Sequence, residues 1–121
     1  MQSIKISFVI PAYNEANYIA RCLDAIFREI GDREDIEVIV VDNNSSDDTD
    51  ETVGRYSRVK LIRETRRGAN RARQTGFEAS QGEFVAFLDA DTDMPHGWIA
   101  QAGDAFAKSE PCLHKRPIYL L

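Results

Sequence analysis

Two short runs restrict the fold of this chain more than any other feature: IEVIVVD at residues 36–42 and EFVAFLD at residues 83–89. Each is almost continuously apolar, and each stops at an aspartate. A strand with one wet face alternates apolar and polar residues. Runs without that alternation suit strands covered on both faces, as in a parallel sheet layered between helices. Two more strand-like runs, IKISFVIP at residues 4–11 and VKLIR at residues 59–63, complete a set of four.

Helical patterns fill the gaps. From Glu15 to Ile30, the residues Ile19, Leu23, Ile26, Phe27 and Ile30 recur at three- and four-residue steps and make one apolar face. Asn14 is the expected cap of that helix and Gly31 its stop. SSDDTDETVGRY opens with capping residues and sets acids in a first turn, where the helix dipole favours them, and Gly54 weakens its end. Ala69 to Ser80 forms a third helix. Pro95 would open a fourth that carries Trp98, Ile99, Ala102 and Phe106, with Asp93 as its cap. Strands alternating with helices predict an α/β fold: a mostly parallel sheet with helices on both faces.

Composition narrows the function. The chain has 121 residues, enough for one domain, with 43% hydrophobic and 29% charged residues. A net charge of -5 argues against a nucleic-acid partner. Two cysteines, Cys22 and Cys112, make no disulfide scaffold, so a reduced cytoplasmic setting is expected, including the cytoplasmic membrane surface. No apolar run approaches the roughly 20 residues of a transmembrane helix, and the start has no secretion-signal core.

In sheets of this kind, ligands bind beyond the carboxyl ends of the strands. That rule selects PAYNE, DNNSSDD, RETRRG and DADTD, all polar or charged. Tyr13 offers a ring for stacking, and Glu15 accepts hydrogen bonds; packing and capping would equally explain PAYNE. Asp42 ends a buried strand, where a carboxylate can pair with a heterocycle N–H or a ribose hydroxyl, and Asn43 follows it in a turn. Of Arg63, Arg66, Arg67, Arg71 and Arg73, most read as a solvated basic face. Arg73 is retained because its helix starts at the edge, where a guanidinium suits phosphate oxygens. Gly68 permits a sharp turn. Asp89, Asp91 and Asp93 crowd three carboxylates together, which a divalent cation such as Mn²⁺ or Mg²⁺ would relieve while bridging to a diphosphate. Alternate spacing on an extended stretch sets Asp89 and Asp91 on the same side.

Three ordered segments, SFVIPAYNEANYIARCLDAI, IEVIVVDNNSSDDT and RGANRARQTGFEASQGEFVAFLDAD, resemble the family 2 glycosyltransferases with their GT-A, Rossmann-like fold, from about Ser7 to Phe106. The resemblance implies inverting transfer of a sugar from a nucleotide-diphosphate donor, with a UDP-sugar as the leading candidate, to an acceptor it does not identify. It assigns Pro11, Tyr13 and Glu15 to the nucleoside pocket and Asp42 and Asn43 to the base or its surroundings. Arg73 and Asp89 fall beside the nucleotide. Asp89 and Asp91 match the metal motif, with Asp91 the direct ligand. Many members carry an acidic pair where this chain has Asp42-Asn43, and an amide donates as well as accepts.

A phosphoacceptor receiver domain would need acidic residues at the end of the first strand, where this chain has PAYNE, and a late strand followed by lysine; a dinucleotide-binding domain would need G-x-G-x-x-G after the first strand, which is absent. The remaining rival is a non-catalytic nucleotide-binding or interaction module derived from a glycosyltransferase. Residues 109–121, SEPCLHKRPIYLL, form an atypical tail, and its Cys112, His114 and Lys115 fit no metal spacing. The expected organisation is one nucleotide-sugar-binding domain over residues 1–121, the donor half of an enzyme, whether a fragment, a truncated product or a small relative with reduced function, with an uncovered sheet face that favours homo-oligomers. Beyond Asp93 the acids are Asp104 and Glu110, neither a convincing general base, so the catalytic residue is not identified. The isolated chain is therefore expected to transfer sugar poorly, because a missing base forfeits about 10²–10⁴-fold in rate. Robust turnover on a defined acceptor by the purified chain, abolished by Asp91→Asn, would contradict this.

Overall fold

The computed structural model describes residues 3–102 and the backbone of residues 118–120. The readings made for Asp104, Phe106, Glu110, Cys112, His114 and Lys115 lie outside the described residues. The elements run β1 (Ile6–Ala12), α1 (Ile19–Ile30), β2 (Ile36–Asp42), α2 (Thr49–Gly54), β3 (Val59–Arg63), α3 (Ala69–Ala79), β4 (Phe84–Phe87) and β5 (Ile118–Leu120). The sheet order is β3-β2-β1-β4-β5, and every pairing is parallel. All four expected strands form. The fifth, aligned with β4 from Val85↔Ile118 to Phe87↔Leu120, has no counterpart in the sequence reading.

The unbroken apolar runs divide between two cores, as strands buried on both faces must. Phe8, Ile10, Val38, Val40 and Ala86 pack on one face with Leu23 and Ile26 of α1, Val53 of α2 and Ile99. Val9, Ile39, Val41, Val85 and Phe87 pack on the other with Ala72 and Phe77 of α3. Successive side chains of each strand thus enter opposite cores. Helices cover both faces, as expected.

Two helix starts differ from the sequence reading. Helix α1 begins at Ile19, not beside Asn14, and Asn14 does not cap it. Asn14 has a left-handed backbone with φ 52°, a region asparagine tolerates better than most residues. Its Oδ1 accepts from the Ser46 N–H at 2.8 Å, and its own N–H donates to Ser45 Oγ at 2.9 Å. The asparagine ties two loops together. The helix expected from Pro95 is helical in the described part only from residue 98 to 102. Asp93 pairs with Arg21 at 3.0 Å instead of capping it. The Gly97 N–H donates to Glu29 Oε1 at 2.6 Å, so α1 supplies a carboxylate at that turn.

Helix α3 lies against β1 and β2 through Gly76, where an added Cβ would run into Val9 Cγ1 and approach Val41 Cγ2 to 3.1 Å. Overpacking of that kind costs about 1–3 kcal/mol. Gly54, in α2, has nothing within 4 Å of such a Cβ. In denaturant unfolding, Gly76→Ala is expected to lose stability in that range. Gly54→Ala is expected to hold or gain about 0.5–1 kcal/mol, the helical advantage of alanine over glycine.

Candidate functional site

One crevice of about 510 Å³ opens at the carboxyl edge of the sheet. It lies where the chain order reverses, with β2 on one side of β1 and β4 on the other, the position at which open α/β sheets bind ligands. Pro11 and Ala12 come from the end of β1, Asp89 to Asp91 from the segment after β4, and Ala69, Ala72 and Arg73 from the first turns of α3. Tyr13, Glu15, Asn43, Arg67 and Gly68 complete the wall. Seven of the eight residues expected at a site, Pro11, Tyr13, Glu15, Asn43, Arg73, Asp89 and Asp91, therefore line a single space.

Asp42 is the exception: it is buried at 1% exposure and does not line the crevice. Its Oδ1 accepts from the Ser45 N–H at 3.1 Å, closing the turn after β2. Its Oδ2 is the one buried side-chain polar atom without a hydrogen-bond partner among the described residues.

The wall carries both signs of charge. Asp89 and Asp91 are exposed, while Ala90 between them is buried at 2%. A turn produces this arrangement, with the Thr92 N–H donating to Asp89 O at 2.9 Å, and not the extended stretch expected from alternate spacing. Burial pushes the Glu15 carboxyl above its ordinary range, and the like charges of Asp91, Asp89 and Asp47 push it further. Among the described residues, no three histidine, cysteine or acidic side chains form a group able to hold a metal by themselves. Facing the acids, Arg73 Nη2 lies 3.9 Å from Asp89 Oδ1, and its Nη1 donates to Asn70 Oδ1 at 3.2 Å. Arg67 sits over the Tyr13 ring, 5.0 Å from its centroid, and donates to the Tyr13 hydroxyl at 2.9 Å. Cys22 lies below, its Sγ 3.8 Å from Asp89 O, and burial raises its thiol to about 12, so it is an inert packing group.

Arg67 and Glu64 had no assigned part in the sequence reading. By sequence Arg67 reads as part of the solvated basic face, and its position directly before Gly68 at a strand edge is the signal that sets it apart. Gly68 has φ 126°, a conformation closed to most side chains, which sets Arg67 at the crevice. Glu64 is 7% exposed and organises the segment between β3 and α3. It accepts from the Arg66 backbone N–H at 3.0 Å, Arg66 Nη2 at 2.7 Å and Thr75 Oγ1 at 2.7 Å. The Arg66 and Thr75 hydrogen bonds hold its carboxyl far below the usual range, at about 2.

The chain matches the model of glycosyl transferase family 2 over residues 7–118. It is 38% identical over 99 residues to glycosyltransferase AglE of Haloferax volcanii, covering 78% of this chain and 33% of that protein. The structure of S. aureus TarS 1-349 in complex with UDP-GlcNAc superposes with a TM-score of 0.81 at 26% identity, covering 87% of this chain and 32% of that one. Mannosyltransferase PcManGT from Pyrobaculum calidifontis, in complex with GDP-Man and Mn²⁺, gives 0.80 at 33% identity, covering 89% of this chain and 34% of that one. The chain thus spans about a third of the length of each of these three proteins.

Glu64 generates a test at this point. Its folded-state pKa lies below the ordinary 4.5, so its ionised form stabilises the fold above that value. The contribution is lost as pH falls through the folded value near 2. Thermal unfolding is expected to show Glu64→Gln less stable than wild type at neutral pH, with the difference shrinking from pH 4.5 toward 2. A gap that stays constant over that range would contradict this.

Proposed function

The chain belongs to glycosyl transferase family 2, a family of enzymes, and from that premise we propose that it forms the donor-binding part of an inverting glycosyltransferase. The donor is a nucleotide-diphosphate sugar. One observation carries the reading: a single crevice at the β1/β4 reversal sets Asp89 and Asp91 opposite Arg67 and Arg73. A bare acidic pair would repel a diphosphate, and a bare arginine pair would leave no place for a cation. Both together suit a diphosphate bound with a divalent metal.

The residues fit such an ion. Mg²⁺ and Mn²⁺ are commonly held through one or two carboxylates, with phosphate and water completing the shell. Asp91 would be the direct ligand and Asp89 its support, and a cation would relieve the repulsion from these two carboxylates that adds to burial in raising Glu15. When bound, the metal would stabilise charge on the leaving diphosphate. Arg73 lies beside Asp89, where it can bind a phosphate oxygen. Pro11 and Tyr13 give the nucleoside an apolar and an aromatic wall, with Glu15 as an acceptor beside them. Asp42, buried and outside the crevice, is assigned to the turn after β2, and contact with the base falls to the residues that line the crevice. TarS has been crystallised with UDP-GlcNAc and PcManGT with GDP-Man, which supports a nucleotide-sugar donor and leaves both uridine and guanosine as bases to test. The inversion step, the acceptor and the group that deprotonates it belong to the proposed whole enzyme. No helix among the described residues is long and apolar enough to cross a membrane.

Asp91 is exposed, so Asp91→Asn is expected to change folding stability by no more than about 0.5 kcal/mol. Titration with UDP and GDP in Mn²⁺ should show binding at least about tenfold weaker than wild type, or roughly 1.4 kcal/mol. In excess chelator the two proteins should converge. A variant that keeps the full metal-dependent gain in affinity would sink the assignment.

A further inference from the structure

We infer that Asn43 is a positioning residue that builds the nucleotide site by tying down residues 64–68, and that it does so by donating hydrogen bonds no carboxylate could donate. The inference rests on the donor-binding reading of the crevice but concerns a different group. Asn43 is 6% exposed. Its Nδ2 donates to Glu64 O at 2.9 Å and to Arg66 O at 2.7 Å. Its Oδ1 accepts from the Gly68 N–H at 3.0 Å. These partners fix the amide orientation, because two carbonyl oxygens can only accept and a backbone N–H can only donate. Both amide hydrogens are spent on the loop. The loop carries Arg67 over Tyr13 and passes into α3 at Gly68, so three bonds from one side chain set the part of the wall that faces the acidic residues.

The consequence is chemical. An aspartate here keeps the size and the bond to Gly68 but turns the donor nitrogen into an oxygen facing two carbonyl oxygens. Alanine removes all three bonds without adding repulsion. A residue that accepted from the base would tolerate aspartate, and a residue that only filled space would tolerate aspartate better than alanine. A donor to two carbonyls ranks them the other way, with Asn43→Asp at least as damaging as Asn43→Ala.

The test has two arms. In the first, limited trypsin digestion without ligand reads the loop directly, since exposed Arg66 and Arg67 are cleavage sites within it. Both variants are expected to be cut there roughly tenfold faster than wild type, the scale set by a buried polar group losing its partner. In the second, UDP and GDP are titrated with Mn²⁺. Both variants are expected to lose affinity by the same factor for both nucleotides, with Asn43→Asp no better than Asn43→Ala. Wild-type cleavage rates, loss confined to one base, or an aspartate variant better than the alanine variant would each overturn the inference. If wild type binds neither nucleotide, the donor reading fails, and the digestion arm still decides the role of Asn43. If both variants unfold, proton exchange of the wild-type Asn43 side-chain amide decides it: protection supports the bonds, and exchange at the rate of a free amide overturns them.

Discussion

The parallel pairing of β1 with both β2 and β4 is the constraint on which the rest of the molecule depends. With β2 the register runs to Ala12↔Asp42, at the very ends of both strands. With β4 it stops at Val9↔Phe87, and one further bond from the Leu88 N–H to Val9 O closes it. β1 therefore outruns β4, and Pro11 and Ala12 stand beside the turn that carries Asp89 and Asp91. The crevice is the space left by that unequal pairing. Gly76 lets α3 settle onto Val9 and Val41, which brings the first turns of that helix, with Ala72 and Arg73, to the same space.

A wall made from loops needs its own support, because loop backbone cannot satisfy itself as a sheet does. Three polar groups supply it here, of which Asn43 and Glu64 are buried and Asn14 is exposed. Asn14, with Ser45 and Ser46, joins the loops after β1 and β2. Asn43 and Glu64 hold the segment after β3 from two sides, one mainly by donating and the other by accepting. The side chains that would meet a ligand are carried by this scaffold and are mostly exposed themselves. That separation explains how the crevice can hold opposed charges without burying them: the acids and arginines remain in contact with water, where opposite charges cost little to keep apart.

Much of the fold was legible because burial on both faces leaves an unambiguous trace, an apolar run without alternation. β2 and β4 were readable for that reason, and the site residues followed from their ends. The helix starts were less legible. Asn14 has the chemistry of a helix cap, and its use as a tie between loops depends on Ser45 and Ser46, more than 30 residues away. Asp89 and Asp91 were assigned to one side for a geometric reason that does not hold, since a turn and not a strand carries them. The roles of Arg67 and Glu64 were missed, because a charged residue between a strand and a helix looks solvated until its partners are known.

The sequence by itself determined the layer order, the parallel strands and the polar character of their carboxyl ends. Those properties follow from local periodicity and from the rule that apolar surface leaves water. It also determined the family, through three ordered segments whose spacing survives in the matched residues 7–118. The tertiary structure decided which polar residues face the crevice and which hold it in shape. Asp42 and Asn43 are adjacent in the chain, yet one is buried beneath the turn with an unpartnered oxygen and the other spends its amide on a distant loop. Hydrogen-bond partners brought together by long-range pairing make that distinction, and no pattern within ten residues of either side chain encodes it.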